Sequence, residues 1–266
     1  MATLIDGKAI AAIVRAGAAE RAAALRARGI EPHLAVILAG DDPASAVYVR
    51  NKERACQEAD IRSTVVRLPG DVSQEALEAE IAKLNADRSV HGILVQLPLP
   101  AGLSEGRALA LIDADKDVDG FHTVNTGRLW KKEPGFVPCT PLGVMELLRA
   151  YNIDPRGKRA VVVGRSDIVG KPMAALLLQA DATVTICHSR TKDLAEVTRQ
   201  ADILVAAIGK AKFVTGDMVK EGQTVARIEA MKLENEIQSA FDGRVAQILV
   251  KTGDDVRNKD VLIILE

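Results

Sequence analysis

The chain has 266 residues, of which 48% are hydrophobic and 27% charged, with 35 Lys and Arg set against 36 Asp and Glu. A formal net charge of −1 gives no basic footprint for nucleic acid or an anionic membrane, and no uncharged run is long enough to span a bilayer. The N-terminus carries Asp6, Lys8 and Arg15 in place of the apolar core of a secretory signal, and the three widely spaced cysteines, Cys56, Cys139 and Cys187, suit a reduced cytoplasmic protein without a structural metal.

At about 150 residues per domain, the length predicts two domains. Aromatic residues make up only 3% of the chain, so the cores must be built from Ala, Val, Ile and Leu. Residues 5–28 read as an Ala-rich amphipathic helix stopped by Gly29, and 33–40 as a short buried strand. Asp42-Pro43 is an N-cap followed by proline at the first helical position, opening a helix to about Asp60. A strand over 63–68, a helix over 73–85 and a strand over 91–96 follow. Thr140-Pro141 opens a helix to about Tyr151. Strands are expected over 159–164, 183–188 and 202–208, with helices over 171–179 and 193–200. Strands alternating with helices predict an α/β fold with two parallel sheets.

The pattern changes after Lys210. Gly216-Asp217, Val219 and Glu229 recur as Gly253-Asp254, Val256 and Glu266, and the segments between them alternate without a helix. This internal repeat predicts a small all-β, hammerhead-like segment. The expected domains are 1–139, 140–215 and 216–266.

Tyr48 and Lys52 are four apart and share a helix face. A lysine on a partly apolar stripe is desolvated, which favours its neutral form and makes it usable as an acid or base. Spacing alone favours a plainer account, an amphipathic helix with a snorkelling lysine. Gln96, at the end of the Gly92-Ile-Leu-Val strand, and Asp119, in an Asp-Val-Asp-Gly turn, could converge on Lys52, because ligands in open α/β sheets sit beyond the carboxyl ends of the strands. Gln96 as a simple strand end and Asp119 as a simple turn residue remain open on these grounds.

In the second half, Val161-Val-Val-Gly164-Arg165-Ser166-Asp167-Ile168-Val169-Gly170-Lys171-Pro172 reads as strand, glycine-bearing turn and helix start, a place where backbone N–H groups can receive a phosphate. It is not the full dinucleotide fingerprint. The next strand ends Cys187-His188-Ser189-Arg190, without the acidic residue that holds an NAD ribose. Arg165, Ser189 and Arg190 suit a 2′-phosphate instead, which favours NADP.

Five runs in order carry a specific resemblance: Gly40-Asp-Asp-Pro-Ala-Ser45, Tyr48-Val-x-x-Lys52, Gly92-Ile-Leu-Val-Gln-Leu-Pro-Leu-Pro100, Asp117-Val-Asp-Gly-Phe-His122 and Pro138-Cys-Thr-Pro-x-Gly143. Together with the Gly164–Pro172 run, they resemble the bifunctional methylenetetrahydrofolate dehydrogenase/methenyltetrahydrofolate cyclohydrolase family over about residues 1–220. The resemblance implies that Lys52 transfers the proton in the cyclohydrolase step, that Tyr48 stacks near the folate ring, and that Gln96 tunes Lys52. It implies that Asp119 binds the pterin, and that Gly164, Arg165, Ser166, Ile168, Ser189 and Arg190 hold NADP, in a homodimer. The strand, Pro-Gly-Gly-type loop and returning helix that the family carries next find no match after Lys220, so the resemblance also implies a truncated cofactor domain and impaired hydride transfer.

Glu229-Ala230-Met231-Lys232 taken alone is good helix-forming sequence. Within its repeat it resembles the biotinyl domain of biotin-dependent carboxylases over about residues 216–266, which implies covalent biotin on Lys232, a biotin ligase as partner, and a chimeric join near 216–222. The alternative to a folate enzyme is therefore a biotin-acceptor segment on an inactive scaffold.

Overall fold

The computed structural model describes residues 3–210, 212–227, 245–248 and 263–265. Helix α1 (Gly7–Arg26) begins at Asp6, whose carboxylate accepts from the backbone N–H groups of Lys8 and Ala9. The first domain then runs β1 (His33–Ala39), α2 (Pro43–Glu58), β2 (Arg62–Leu68), α3 (Gln74–Ala86), β3 (Gly92–Val95), α4 (Glu105–Leu111) and α5 (Thr123–Lys131). Its three strands lie in the order β2-β1-β3, all parallel. The central strand β1 is buried along nearly its whole length, as expected of a parallel strand covered on both faces. Ile37, Leu77, Ile81 and Ile93 are fully buried in its core.

The second domain runs α6 (Cys139–Ala150), β4 (Arg159–Val163), α7 (Gly170–Gln179), β5 (Thr183–Cys187), α8 (Leu194–Arg199), β6 (Ile203–Ala206), a single 3-10 turn over Gly216–Met218, and β7 (Thr224–Arg227). Its sheet has the order β5-β4-β6-β7, again parallel. The expected α/β architecture with two parallel sheets is present. A separate antiparallel pair joins β8 (Val245–Ile248) to β9 (Ile263–Leu265).

Two helices, α4 and α5, lie between β3 and α6, where the sequence pattern predicts none. Helix α4 is two turns long and too short to show an apolar period, although Ser104 caps it by accepting from the Arg107 N–H. Helix α5 is capped by the ring of His122, which accepts from the Val124 N–H. Histidine is outside the usual capping set, so no start signal was visible.

The boundary at 215 also needs correction. β7 lies in the segment assigned to the all-β unit, yet it pairs parallel with β6 in the register Ile203↔Thr224 to Ala206↔Arg227. Gln223 Nε2 donates to the Thr198 carbonyl at 2.8 Å, and Met218 is buried. The cofactor sheet therefore continues through Arg227, with β7 as a fourth parallel strand after Lys220. The local pattern reads as a strand in either domain; the unpaired edge of β6 that accepts it is a long-range feature. The Ala230-Met231-Lys232 run lies outside the described residues.

Candidate active site

In the first sheet the chain leaves β1 for β2 on one side and returns to β3 on the other. The carboxyl ends of β1 and β3 thus flank a switch point, where open α/β sheets form a crevice. Helix α2 starts at that crevice. Asp42 caps it by accepting from the Ser45 N–H at 2.7 Å, and Pro43 begins the first turn. This start sets the helix phase that carries Tyr48 and Lys52 on one face. Gln96 follows β3, with its backbone N–H on Ile37 O at 2.9 Å.

Lys52 Nζ donates to Gln96 Oε1 at 3.0 Å, while Gln96 Nε2 donates to the Leu97 carbonyl at 2.8 Å. The second bond fixes which end of the carboxamide faces the lysine. Gln96 is buried and Lys52 half-buried. Tyr48, half-buried one turn before Lys52, makes no side-chain hydrogen bond among the described residues.

Asp119 enters from the turn over 117–120. The Ile93 N–H donates to Lys116 O at 2.7 Å and Ile93 forms a parallel bridge with Asp117, so this turn extends the sheet beside β3. Gly120 has φ +67, and a Cβ there would lie 2.9 Å from Phe136 O, which restricts the position to glycine. That close approach leads the chain into α6, where Cys139 Sγ donates to Val118 O at 3.8 Å beside Asp119.

Electrostatic coupling joins these groups. Burial lowers the Lys52 pKa, with Asp119 and then Cys139 opposing the shift. Burial raises the Asp119 carboxyl to about 6; Lys52 opposes the rise and Asp117 adds to it. Cys139 is exposed at the rim, but protein atoms crowded around its thiol, the largest cause, and the Asp119 charge push its pKa up. Lys52, Gln96 and Asp119 therefore meet as expected. Cys139 was missed as a neighbour of the site, because its approach depends on the contact between Gly120 and residues 136–137.

The second switch point lies beyond β4, between β5 and β6. Gly164 has φ +128, and a Cβ on it would sit 2.2 Å from Ala207 O; one on Gly170 would sit 2.3 Å from Gly164 O. The loop between them is thus folded tightly on itself. Ser166 Oγ accepts from the N–H groups of Val169 and Gly170, both at 3.2 Å, so this hydroxyl caps the entry to α7 and retains its own O–H to donate. The N–H groups of Arg165, Ser166, Asp167 and Ile168 make no hydrogen bond among the described residues. Arg165, Ser166, Ile168, Ser189 and Arg190 are exposed. Val163 and Cys187 pair across β4 and β5, so Arg165 and Arg190 follow neighbouring strand ends. Among the described residues neither arginine has a carboxylate partner. Free N–H groups beside two unpaired guanidinium groups fit a phosphorylated dinucleotide.

Residues 5–119 match the tetrahydrofolate dehydrogenase/cyclohydrolase catalytic domain, and residues 138–251 match the NAD(P)-binding domain of the same enzymes. The chain belongs to this family. The bifunctional protein FolD of Burkholderia thailandensis is 58% identical over 224 residues, covering 84% of this chain and 79% of that protein. The FolD of an Azoarcus species is 51% identical over 274 residues, covering 100% of this chain and 94% of its own length. Among solved structures, the Campylobacter jejuni FolD methylenetetrahydrofolate dehydrogenase/cyclohydrolase superposes with a TM-score of 0.82 at 52% identity, covering 84% of this chain and 79% of that one. The Trypanosoma brucei enzyme, complexed with NADP cofactor and inhibitor, gives a TM-score of 0.80 at 42% identity, covering 84% and 77%. The first family match contains Lys52, Gln96 and Asp119. The second contains the glycine-bearing loop and β7, and so runs past the boundary expected at 215. Among the described residues no helix is long and apolar enough to cross a membrane, and no cluster of His, Cys, Asp or Glu could hold a metal ion.

Proposed function

We propose that the chain oxidises methylenetetrahydrofolate with NADP and hydrolyses the resulting methenyltetrahydrofolate to formyltetrahydrofolate, with the folate in the crevice at the first sheet's switch point. The observation that carries this reading is the Lys52–Gln96 hydrogen bond at 3.0 Å in a half-buried crevice shared with Asp119. NADP supplies the hydride acceptor when bound. The chain's own residues orient the folate and move protons.

Asp119 offers a carboxylate to the side-by-side N–H donors of the pterin edge. Tyr48 offers a ring face on which the folate can stack. For hydrolysis, water adds to the cationic methenyl carbon and must lose a proton. Neutral Lys52 can take it, because its bond to Gln96 Oε1 uses a donor and leaves the nitrogen lone pair free. That proton then passes from Lys52 to the ring nitrogen as the C–N bond breaks, while the carbinolamine hydroxyl gives its remaining proton to solvent as the formyl C=O forms, so one proton is released overall. The test is decay of the methenyl chromophore on adding the purified chain, and a rate no greater than in buffer would refute the reading.

Gly164, Arg165, Ser166, Ile168, Ser189 and Arg190 are proposed to hold the cofactor, with Arg165 and Arg190 selecting the 2′-phosphate. Arg190→Ala is expected to raise KM for NADP about tenfold, as loss of a charge-assisted phosphate contact does, and to change KM for NAD little. The ratio of kcat/KM for the two cofactors checks this; an unaltered ratio would remove Arg190 from the specificity set.

Covalent biotin on Lys232 is a separate proposal, and its support is the Ala230-Met231-Lys232 sequence. Intact-mass measurement after incubation with a biotin ligase, biotin and ATP tests it. An unmodified mass, or addition retained in Lys232→Arg, excludes that site.

A further inference from the structure

Beneath the Asp119 turn lies a buried polar array that the chemistry above does not use. Asp117 is 1% exposed and Asn125 is 0% exposed. A buried carboxylate and carboxamide are costly unless hydrogen-bonded, so their partners show what they hold in place. Asp117 Oδ2 accepts from the His122 N–H at 2.8 Å and from Asn125 Nδ2 at 3.0 Å. Asn125 Nδ2 also donates to Ala114 O at 2.8 Å, while Asn125 Oδ1 accepts from Arg128 Nη1 at 3.3 Å. The Asp115 carboxylate accepts from the same Arg128 nitrogen at 2.7 Å.

The main chain of Asp117 is held as firmly. Its N–H donates to Asp113 O at 2.9 Å, its carbonyl accepts from Gly120 N at 3.1 Å, and it bridges to Ile93 of β3. The 117–120 turn is thus gripped by β3 through its backbone and by α5 through the Asp117 side chain. Residues 135–137 close the other side. A Cβ on Gly135 would lie 2.8 Å from Arg128 Cδ and 3.0 Å from Asn125 Oδ1, and one on Gly120 would lie 2.9 Å from Phe136 O. Asp119 occupies the third position of this turn, so the direction of its carboxylate follows from how the turn is gripped.

We propose that Asp117 and Asn125 are positioning residues that aim the Asp119 carboxylate at the bound pterin by clamping the 117–120 turn between β3 and α5. This inference rests on the assignment of Asp119 to pterin binding. It predicts an effect on substrate affinity that passes through Asp119 while the Lys52–Gln96 hydrogen bond stays in place.

A double-mutant cycle with Asn125→Ala and Asp119→Asn, read as kcat and KM for methenyltetrahydrofolate hydrolysis, separates the two ideas. Asn125→Ala is expected to raise KM about tenfold, a displacement effect, with kcat nearly unchanged. In the Asp119→Asn background, the same change should leave KM nearly where Asp119→Asn alone put it. Effects that multiply in full would show that Asn125 acts independently of Asp119 and overturn the proposal. An unchanged KM in Asn125→Ala, with KM raised in Asp119→Asn, would also overturn it. An unchanged KM in Asp119→Asn would instead remove the pterin assignment itself. Where Asn125→Ala lacks a cooperative melting transition, Arg128→Met takes its place in the cycle, because it frees Asn125 Oδ1 from the solvent side. A smaller rise in KM, again absent in the Asp119→Asn background, supports the proposal; an unchanged KM contradicts it.

Discussion

Asp119→Asn is expected to make the protein more stable at neutral pH and a weaker binder of folate. Burial, the main cause, raises the Asp119 carboxyl to about 6; Lys52 opposes the shift and Asp117 reinforces it. An unfolded aspartate titrates near 3.9, so as pH rises the unfolded chain sheds this proton first. The contribution favouring the folded state is therefore complete below about pH 4 and is lost as pH climbs through about 6. Above that, the ionised, half-buried carboxylate costs about 1–3 kcal/mol, which the neutral amide removes. Tm should rise by several degrees at pH 8, and the gap from the unaltered protein should shrink at pH 5. In exchange, the amide presents one acceptor and one donor where the pterin edge presents two donors, and kcat/KM should fall about 100-fold. Thermal melts at the two pH values and steady-state kinetics check both parts. A Tm difference independent of pH would show that Asp119 is not the group responsible.

Lys52→Met is expected to remove hydrolysis by about 10²- to 10⁴-fold, the range for loss of a positioned proton-transfer group. Methionine keeps the unbranched apolar stem, so the packing of α2 persists. Burial holds the Lys52 pKa below its usual 10.5, while Asp119 and Cys139 pull it back. A lowered folded value means that the stability contribution is present above the unfolded pKa and is lost as pH falls through the folded one. While protonated, the half-buried ammonium is a cost, and Lys52→Met should melt no lower than the unaltered protein. The hydrolysis rate of the unaltered protein should rise with pH as the neutral amine forms, on a limb lying below the ordinary lysine range. The variant should lose that limb along with its rate.

Much of this site was readable from the residues. Asp42-Pro43 fixed where α2 begins, the four-residue spacing put Tyr48 and Lys52 on one face, and strand alternation placed Gln96 at the carboxyl end of β3. A switch point then brings the helix and the strand end together, as the Lys52–Gln96 bond records. What local patterns could not carry was whatever depends on contacts distant in sequence. The grip on the Asp119 turn comes from Asn125 on α5, a helix whose histidine cap gave no start signal. Cys139 reaches the rim because Gly120 lies against residues 136–137. β7 alternates like any strand, and only the free edge of β6 assigns it to the cofactor sheet. The positions of Arg165 and Arg190 just beyond β4 and β5 were legible from the strand pattern, whereas the use of Ser166 as a helix cap required its two N–H partners to be seen.

The most direct test measures methenyltetrahydrofolate hydrolysis and NADP-dependent methylenetetrahydrofolate oxidation on the purified chain beside Lys52→Met. Hydrolysis present in the unaltered chain and lost in the variant, with folate still bound by both, is the predicted result. Equal hydrolysis in the two proteins would contradict the account, because proton transfer would then not run through Lys52.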